Sequence, residues 1–210
     1  MIDLLVATTN RGKFVEVQTF LKSLPLRILS LSDLNNPPGV VEDGTTFEAN
    51  ALKKARTLAR FSGVSTLADD SGIEVDALGG EPGIFSARYG GAESSDMANN
   101  EKLLRDLANV PEERRQARFI CALALCVPDA DVVKEWTVRA TCEGRIALAP
   151  RGANGFGYDP LFFYPPFGKT FGEIPRETKA TVSHRGKALK KLAEMMPNWL
   201  EWTTELPAQP

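Results

Sequence analysis

Two acidic segments have residue types and spacing suited to holding a divalent cation. Asp69 and Asp70 stand side by side after the apolar residues 64–68, and Glu42 comes shortly before the predicted helix that begins near residue 45. Adjacent carboxylates repel each other unless a cation or basic side chains lie between them, and Mg²⁺ prefers carboxylate oxygens. Aspartates before a glycine also occur for purely local reasons. Two at one turn after an apolar strand nevertheless favour a Mg²⁺ site.

A basic turn after the first predicted strand has the features of a phosphate site. Its residues are Thr8, Thr9, Asn10, Arg11, Gly12 and Lys13. A strand-to-helix turn offers free amides and the positive end of a helix dipole, and Lys13 adds a point charge. The first glycine and the final Ser/Thr of a P-loop are missing, so this is not a Walker A motif, and an ordinary capped turn explains it equally well. Asn50 and Lys54 lie one turn apart on a later helix, where a lysine is usually just solvated.

The second half of the chain combines aromatic, basic and glycine residues in a way that could bind a flat base. The residues concerned are Phe156, Gly157, Tyr158, Asp159, Lys179, His184 and Arg185. An aromatic ring beside glycine can stack a base, while Lys and Arg bind phosphate or a ring carbonyl. Each of these residues taken alone also has a structural interpretation that competes with base binding. Phe156 and Tyr158 could pack in the core, and His184 could be a residue at the start of a helix.

The elements that must position these residues form a mixed α/β pattern. Strands are predicted at 2–8, at 26–31 and at 64–68, the last ending at Asp69, and a long hairpin at 118–142. Asn10 is expected to cap one helix, and residues 45–48 have capping-box spacing before a second. A final helix is expected from Ser183 with Leu189, Leu192 and Met196 inward. Because open α/β sheets bind ligands at the carboxyl ends of their strands, the polar clusters are expected to converge.

Composition restricts the classes of function. The chain has 210 residues, 43% of them hydrophobic and 25% charged, which is typical of a folded protein. Its net charge of −2 does not favour a nucleic-acid partner. The longest strongly apolar run is too short for a membrane helix, and the three cysteines are expected to be buried thiols in a reducing cytoplasm. With one histidine, a His-rich zinc site is excluded and a hard cation is favoured.

Six motifs occur in order along the chain: Thr8-Thr9-Asn10-Arg11-Gly12-Lys13, Gly44-Thr45-Thr46-Phe47-Glu48-Ala49-Asn50-Ala51, Ala68-Asp69-Asp70-Ser71-Gly72, Pro82-Gly83-Ile84-Phe85-Ser86-Ala87-Arg88-Tyr89, Gly155-Phe156-Gly157-Tyr158-Asp159-Pro160 and Ser183-His184-Arg185-Gly186-Lys187-Ala188. Together they closely resemble the inosine triphosphate pyrophosphatase family, whose members hydrolyse ITP, dITP and XTP. The resemblance extends from about Leu4 to about Met196.

The resemblance implies an elongated α/β fold with a central mixed sheet flanked by helices. It further implies a single domain (residues 1–196) of two lobes with a cleft between them, usually as a homodimer. Residues 197–210 would form a tail without an assigned function. The implied reaction hydrolyses a purine nucleoside triphosphate to the monophosphate and pyrophosphate, which removes deaminated nucleotides from the nucleotide pool.

The resemblance also implies roles for particular residues. Residues 8–13 would bind the triphosphate, and Asp70 would be the catalytic carboxylate and, with Glu42, a Mg²⁺ ligand. Ser71, Lys54 and Lys179 would contact phosphates. The base would be held by Phe156, Gly157, Tyr158, Asp159, His184 and Arg185.

One departure from the family pattern is Thr9, where the family often has glycine. A β-branched residue would be strained at positive φ, so we predict an ordinary extended backbone at Thr9. Two other functions remain open: a Maf-like pyrophosphatase acting on other nucleotides, and a nucleotide-binding sensor without catalysis. A dinucleotide-dependent oxidoreductase is disfavoured because no Gly-x-Gly-x-x-Gly follows the first strand.

Overall fold

The computed structural model describes residues 2–91, 95–129 and 132–204. Its strands are β1 Ile2–Ala7, β2 Leu26–Leu29, β3 Ser65–Val75, β4 Gln116–Asp129, β5 Val132–Ile146, β6 Phe162–Tyr164 and β7 Lys169–Thr170. Its α-helices are α1 Arg11–Leu21, α2 Phe47–Ser62, α3 Asp96–Asp106, α4 Arg176–Val182 and α5 His184–Thr204. The strands form one seven-stranded sheet in the order β2-β1-β3-β4-β5-β6-β7.

The sheet is mixed, as the sequence predicts. β1 pairs in parallel with both β2 and β3, whereas β5, β6 and β7 pair in antiparallel fashion. Residues 4–7 of β1 and 119–127 of β4 are buried irrespective of their parity along the strand, as expected for strands covered on both faces. The α/β fold class is therefore confirmed.

Local capping signals explain where the first two long helices begin. Asn10 is the N-cap of α1, and its side chain accepts a hydrogen bond from the Lys13 amide. Helix α2 is capped by Thr46 through the Ala49 amide, one residue later than the capping-box spacing of residues 45–48 predicts. Both caps satisfy amides that a helix start would otherwise leave unpaired. Helix α2 ends at Gly63, whose φ of 67° places it in the left-handed region that glycine tolerates. Its buried face contains the predicted residues Phe47, Ala51, Ala55, Leu58 and Ala59.

The chain divides into two compact units. The first contains the described residues of Met1–Asp70, Ala122–Arg139 and Ala188–Pro210, and the second contains those of Ser71–Cys121 and Ala140–Lys187. The first unit buries the side chains of β1 together with the inner faces of α1 and α2. The second has a core rich in aromatic rings, in which Phe119, Phe162 and Phe171 pack against one another.

Three elements differ from the sequence prediction. Strand β3 continues through Asp69 and Asp70 to Val75 instead of ending there. The short helix α4 was not predicted. Helix α5 continues past Met196 to Thr204; the side chain of Met196 and residues 205–210, part of the expected tail, lie outside the described residues. Among the described helices, none combines the length and apolar character that crossing a membrane requires.

Candidate active site

The turn between β1 and α1 presents backbone amides beside a lysine. The Asn10 amide donates to Thr8 Oγ1 at 3.2 Å, and the Lys13 amide donates to Asn10 Oδ1 at 3.0 Å. Thr9 and Arg11 are exposed at the same turn. Among the described non-glycine residues, only Asn36 has a positive φ, so the prediction that Thr9 avoids it is confirmed.

Strand register brings the acidic pair beside this turn. The last paired residues of β1 and β3 are Ala7 and Ala68, so Asp69 is the first residue of β3 beyond the end of β1. Its carboxylate Oδ1 lies 2.5 Å from Lys13 Nζ, with the Asp69 side chain 3% and the Lys13 side chain 17% exposed. The expected turn is thus replaced by a continuous strand, in which Lys13 compensates the buried charge of Asp69.

Lys54 lies among the acidic groups. Its Nζ donates to Glu42 Oε2 at 3.0 Å and to the Asp69 carbonyl oxygen at 2.7 Å, and it lies 3.8 Å from Asp70 Oδ1. The structure therefore brings Glu42 and Asp70, both predicted metal ligands, to one ammonium group. Across the part of the chain that the structure describes, no group of three or more His, Cys, Asp or Glu side chains has metal-binding geometry.

The Asp70 carboxyl is the most perturbed acid of this cluster. Burial raises its pKa from 3.8 to about 6, against the lowering effect of Lys54. Glu42 raises the pKa further, while Lys13 and the nearby side chain of Asn50 lower it. Its buried Oδ2 has no hydrogen-bond partner within the described residues. A buried, unpartnered carboxylate oxygen beside two lysines disfavours folding, so Asp70 is a candidate functional group.

Asn50 is a site residue to which the sequence analysis assigned no role. It is buried in the first turn of α2, and its Oδ1 accepts a hydrogen bond from the Gly44 amide at 2.8 Å. A Cβ atom at Gly44 would come within 2.7 Å of that same oxygen. Asn50 thus fixes the segment that carries Glu42. In the sequence, the only indication of a role for Asn50 was its spacing of four residues from Lys54, which places both on the same face of a helix.

In the second unit, two basic side chains surround Phe156. Lys179 Nζ and the Arg185 guanidinium carbon lie 4.9 Å and 5.7 Å from the centroid of its ring. Lys179 also forms a 2.5 Å ion pair with Asp159. Both basic residues are almost completely buried, so their charges are held in place within an environment of reduced dielectric constant. The structure groups Lys179 with the aromatic residues that were expected to hold the base.

Asp159 organises the loop that carries Phe156. Its Oδ2 accepts a hydrogen bond from the Phe156 amide at 2.9 Å as well as the contact from Lys179. Gly155 has a φ of 79°, and a Cβ there would come within 1.9 Å of this oxygen. The loop conformation therefore requires glycine at position 155, and Asp159 acts through the loop backbone.

Three further predicted residues are placed in specific ways. Ser71 Oγ accepts a hydrogen bond from Arg185 Nη2 at 2.8 Å. The His184 ring stacks on Phe119, with centroids 4.6 Å apart. Tyr158 was expected to hold the base, but it lies in the core with its hydroxyl donating to the Ser86 carbonyl at 2.7 Å. Core packing therefore accounts for the position of the Tyr158 side chain, because its only polar atom, the hydroxyl oxygen, already has a hydrogen-bond partner.

The two clusters have complementary chemistry. The first combines lysines, free amides and carboxylates, which suits a polyphosphate and a hard cation. The second combines an aromatic ring with a buried guanidinium, which suits a flat base that carries hydrogen-bond acceptors. An α/β fold with these two clusters is typical of proteins that bind nucleotides.

Sequence and structure comparisons identify the family. The model of the Ham1 family matches residues 4–195. A "dITP/XTP pyrophosphatase" from Syntrophobacter fumaroxidans is 54% identical, covering 95% of this chain and 84% of the relative, and one from Geobacter sulfurreducens is 52% identical, covering 92% and 96%. The solved structure of a HAM1 protein from Coxiella burnetii has a TM-score of 0.85 at 36% identity, covering 94% and 100%. This chain belongs to the Ham1 family.

Proposed function

We propose that this chain hydrolyses deaminated purine nucleoside triphosphates (ITP, dITP and XTP) to the nucleoside monophosphate and pyrophosphate, and so cleanses the nucleotide pool. The observation that carries the proposal is the buried Asp70 carboxylate, with one unpartnered oxygen, beside Lys13 and Lys54. The names of its relatives support the same substrate class.

Glu42 and Asp70 would hold a divalent cation, for which we propose Mg²⁺. Proteins commonly bind Mg²⁺ through one or two carboxylates, with water and substrate phosphates completing the shell. A pair of carboxylates with an unpartnered oxygen at Asp70 fits that donor set. When bound, such an ion neutralises phosphate oxygens and acidifies a bound water.

The protein's own groups position the phosphates and the attacking water. Lys13, Lys54 and the amides of the β1–α1 turn bind the triphosphate and stabilise the negative charge of the leaving pyrophosphate. Asp70 orients the water for in-line attack at the α-phosphorus and accepts its proton. In the metal-free protein the pKa of Asp70 is about 6, so its carboxylate is largely ionised at neutral pH, and a bound cation would favour the ionised form further.

The cluster around Phe156 in the second unit recognises the base. Phe156 stacks the purine, with Gly157, Asp159 and His184 contributing to the same pocket, and Arg185 donates to the 6-keto group. Adenine carries an amino group at that position, so its binding would leave the buried Arg185 donors unpaired. Lys179 is close enough to Phe156 to add charge stabilisation at the base or at the nearest phosphate.

We further propose that residues 1–196 act as one domain and assemble as a homodimer in the cytoplasm. The family match over residues 4–195 supports the domain assignment. Cys121, Cys126 and Cys142 are buried and form no disulfide among the described residues, which supports a reducing compartment.

A pyrophosphate-release assay with Mg²⁺ tests the proposal on ITP, dITP, XTP, GTP, ATP and dTTP. We expect efficient turnover of the deaminated purines and weak turnover of ATP. Equal efficiency on ATP and ITP would refute the base-reading mechanism. Preference for dTTP would favour a Maf-like enzyme, and tight ITP binding without turnover would favour a sensor.

A further inference from the structure

Helix α3 contacts the backbone of the Phe156 loop through two side chains one turn apart. Asp96 Oδ2 accepts a hydrogen bond from the Gly157 amide at 2.6 Å, and Asn100 Nδ2 donates to the Gly157 carbonyl at 2.9 Å. Residues at this spacing lie on the same face of a helix. Both polar backbone groups of Gly157 are therefore held by one rigid element.

The loop requires such support because glycines flank Phe156 on both sides. Gly155 and Gly157 have φ values of 79° and 61°, in the region that glycine enters easily and leaves easily. Asp159 holds the Phe156 amide from within the loop at 2.9 Å. The α3 contacts hold the following residue from outside, so the backbone on both sides of the Phe156 ring is fixed.

The cap of helix α3 depends on neither side chain. Ser95 already caps α3 by accepting the Ala98 amide at 3.2 Å, so Asp96 is not required as the cap. The side-chain nitrogen of Asn100 donates to the Gly157 carbonyl. In this orientation the buried Oδ1 of Asn100 has no hydrogen-bond partner among the described residues. An unpaired buried acceptor disfavours folding, which indicates that the contact with Gly157 has a role of its own.

We propose that Asp96 and Asn100 are positioning residues that fix the Gly157 peptide and thereby the Phe156 ring on which the purine base stacks. The inference rests on the proposed function, since it deepens the assignment of Phe156 to the base. It predicts that the α3 contacts determine base affinity and leave the hydrolytic step unchanged.

Titration calorimetry with the product IMP measures this role without catalysis. We expect Asp96→Ala and Asn100→Ala each to weaken IMP binding about tenfold, the scale of a lost hydrogen bond to a charged or buried group. Asp96→Asn retains an acceptor oxygen, so it should lose less affinity than Asp96→Ala. Glu101→Ala, an exposed position on the same helix, is the matched control and should bind IMP like the wild type.

Steady-state kinetics separate positioning from a general structural defect. In the α3 variants, KM for ITP should rise while kcat at saturating ITP stays close to that of the wild type, as expected when binding is lost equally from the ground state and the transition state. Thermal unfolding identifies any variant that fails to fold. Should Asp96→Ala be such a variant, Asn100→Ala provides the same test.

A double-mutant cycle with Phe156→Ala decides whether α3 acts through the ring. If it does, adding Asp96→Ala to Phe156→Ala should weaken IMP binding little further. Additive losses, or wild-type IMP affinity in both alanine variants, would overturn the inference while leaving the proposed function intact. A wild-type protein that neither binds IMP nor hydrolyses ITP would overturn both.

Discussion

Arg185 Nη2 donates to Ser71 Oγ at 2.8 Å, and Ser71 directly follows Asp70 in strand β3. The Arg185 guanidinium, which we propose recognises the base, is thus hydrogen-bonded to Ser71, the residue that follows the proposed catalytic acid Asp70 in the sequence. Family resemblance implies that Ser71 contacts phosphates, whereas the structure shows it holding Arg185. The two roles lead to different kinetic predictions.

Ser71→Ala should reduce selectivity. Without the Ser71 hydroxyl, the buried Arg185 guanidinium loses one hydrogen-bond acceptor and its fixed orientation. We therefore expect kcat/KM for ITP to fall about tenfold, whereas kcat/KM for ATP should change little. Kinetics on both substrates measure the ratio, and Ser62→Ala, on helix α2, is the control. Equal losses on ITP and ATP would instead support a phosphate-binding role for Ser71.

Asp70→Asn should abolish most activity. The substitution keeps the shape of the side chain but removes its charge and its ability to accept a proton. We expect kcat to fall by roughly 10²–10⁴-fold, the usual range for general acid–base groups. Pyrophosphate release from ITP provides the measurement. Activity close to that of the wild type would remove Asp70 from the mechanism.

The same substitution should stabilise the metal-free protein at neutral pH. Because the pKa of Asp70 is raised from 3.8 to about 6 in the folded state, its contribution to stability is present below about pH 4 and lost as pH rises through about 6. The loss is of order 3 kcal/mol. Urea unfolding in EDTA should therefore show Asp70→Asn more stable at pH 7, with a smaller advantage at pH 4.5. A less stable variant at pH 7 would contradict this account.

Glu42→Gln should raise the Mg²⁺ concentration needed for half-maximal activity. Removal of one of the two carboxylate ligands should weaken Mg²⁺ affinity at least about tenfold, because the loss of a residue that only supports a metal ligand can already have an effect of that size. A titration of activity with Mg²⁺ after EDTA treatment measures the shift. Asp43→Asn is the control, since the neighbouring Asp43 is exposed and paired with Lys53; a similar shift in both variants would argue against a ligand role for Glu42.

Gly155→Ala should disrupt the loop that carries Phe156. The left-handed φ and the clash with Asp159 Oδ2 both oppose a side chain, so we expect a loss of more than about 1 kcal/mol in unfolding free energy and weaker IMP binding. Gly39→Ala is the control, because its φ is not positive and a Cβ there would meet no atom within 4 Å. Unfolding curves that matched the wild type for both variants would contradict this description of the loop.

Much of the architecture was predictable because it depends on local signals. Alternation and burial patterns predicted β1, β4 and β5, and the cap at Asn10 follows from a side chain that binds an amide three residues away. The acidic pair and the lysines were likewise recognisable from residue type and order. None of these inferences requires knowledge of long-range contacts.

The sequence by itself determined the α/β class, the helix starts and the polar residues available for chemistry. Only the tertiary structure decided how those residues are used. Asp69 can be buried within a strand because Lys13, distant in sequence, compensates its charge, and Tyr158 can be buried in the core because its hydroxyl donates to the Ser86 carbonyl. Such outcomes depend on which buried polar groups find partners far along the chain, and the folded packing alone determines those pairings.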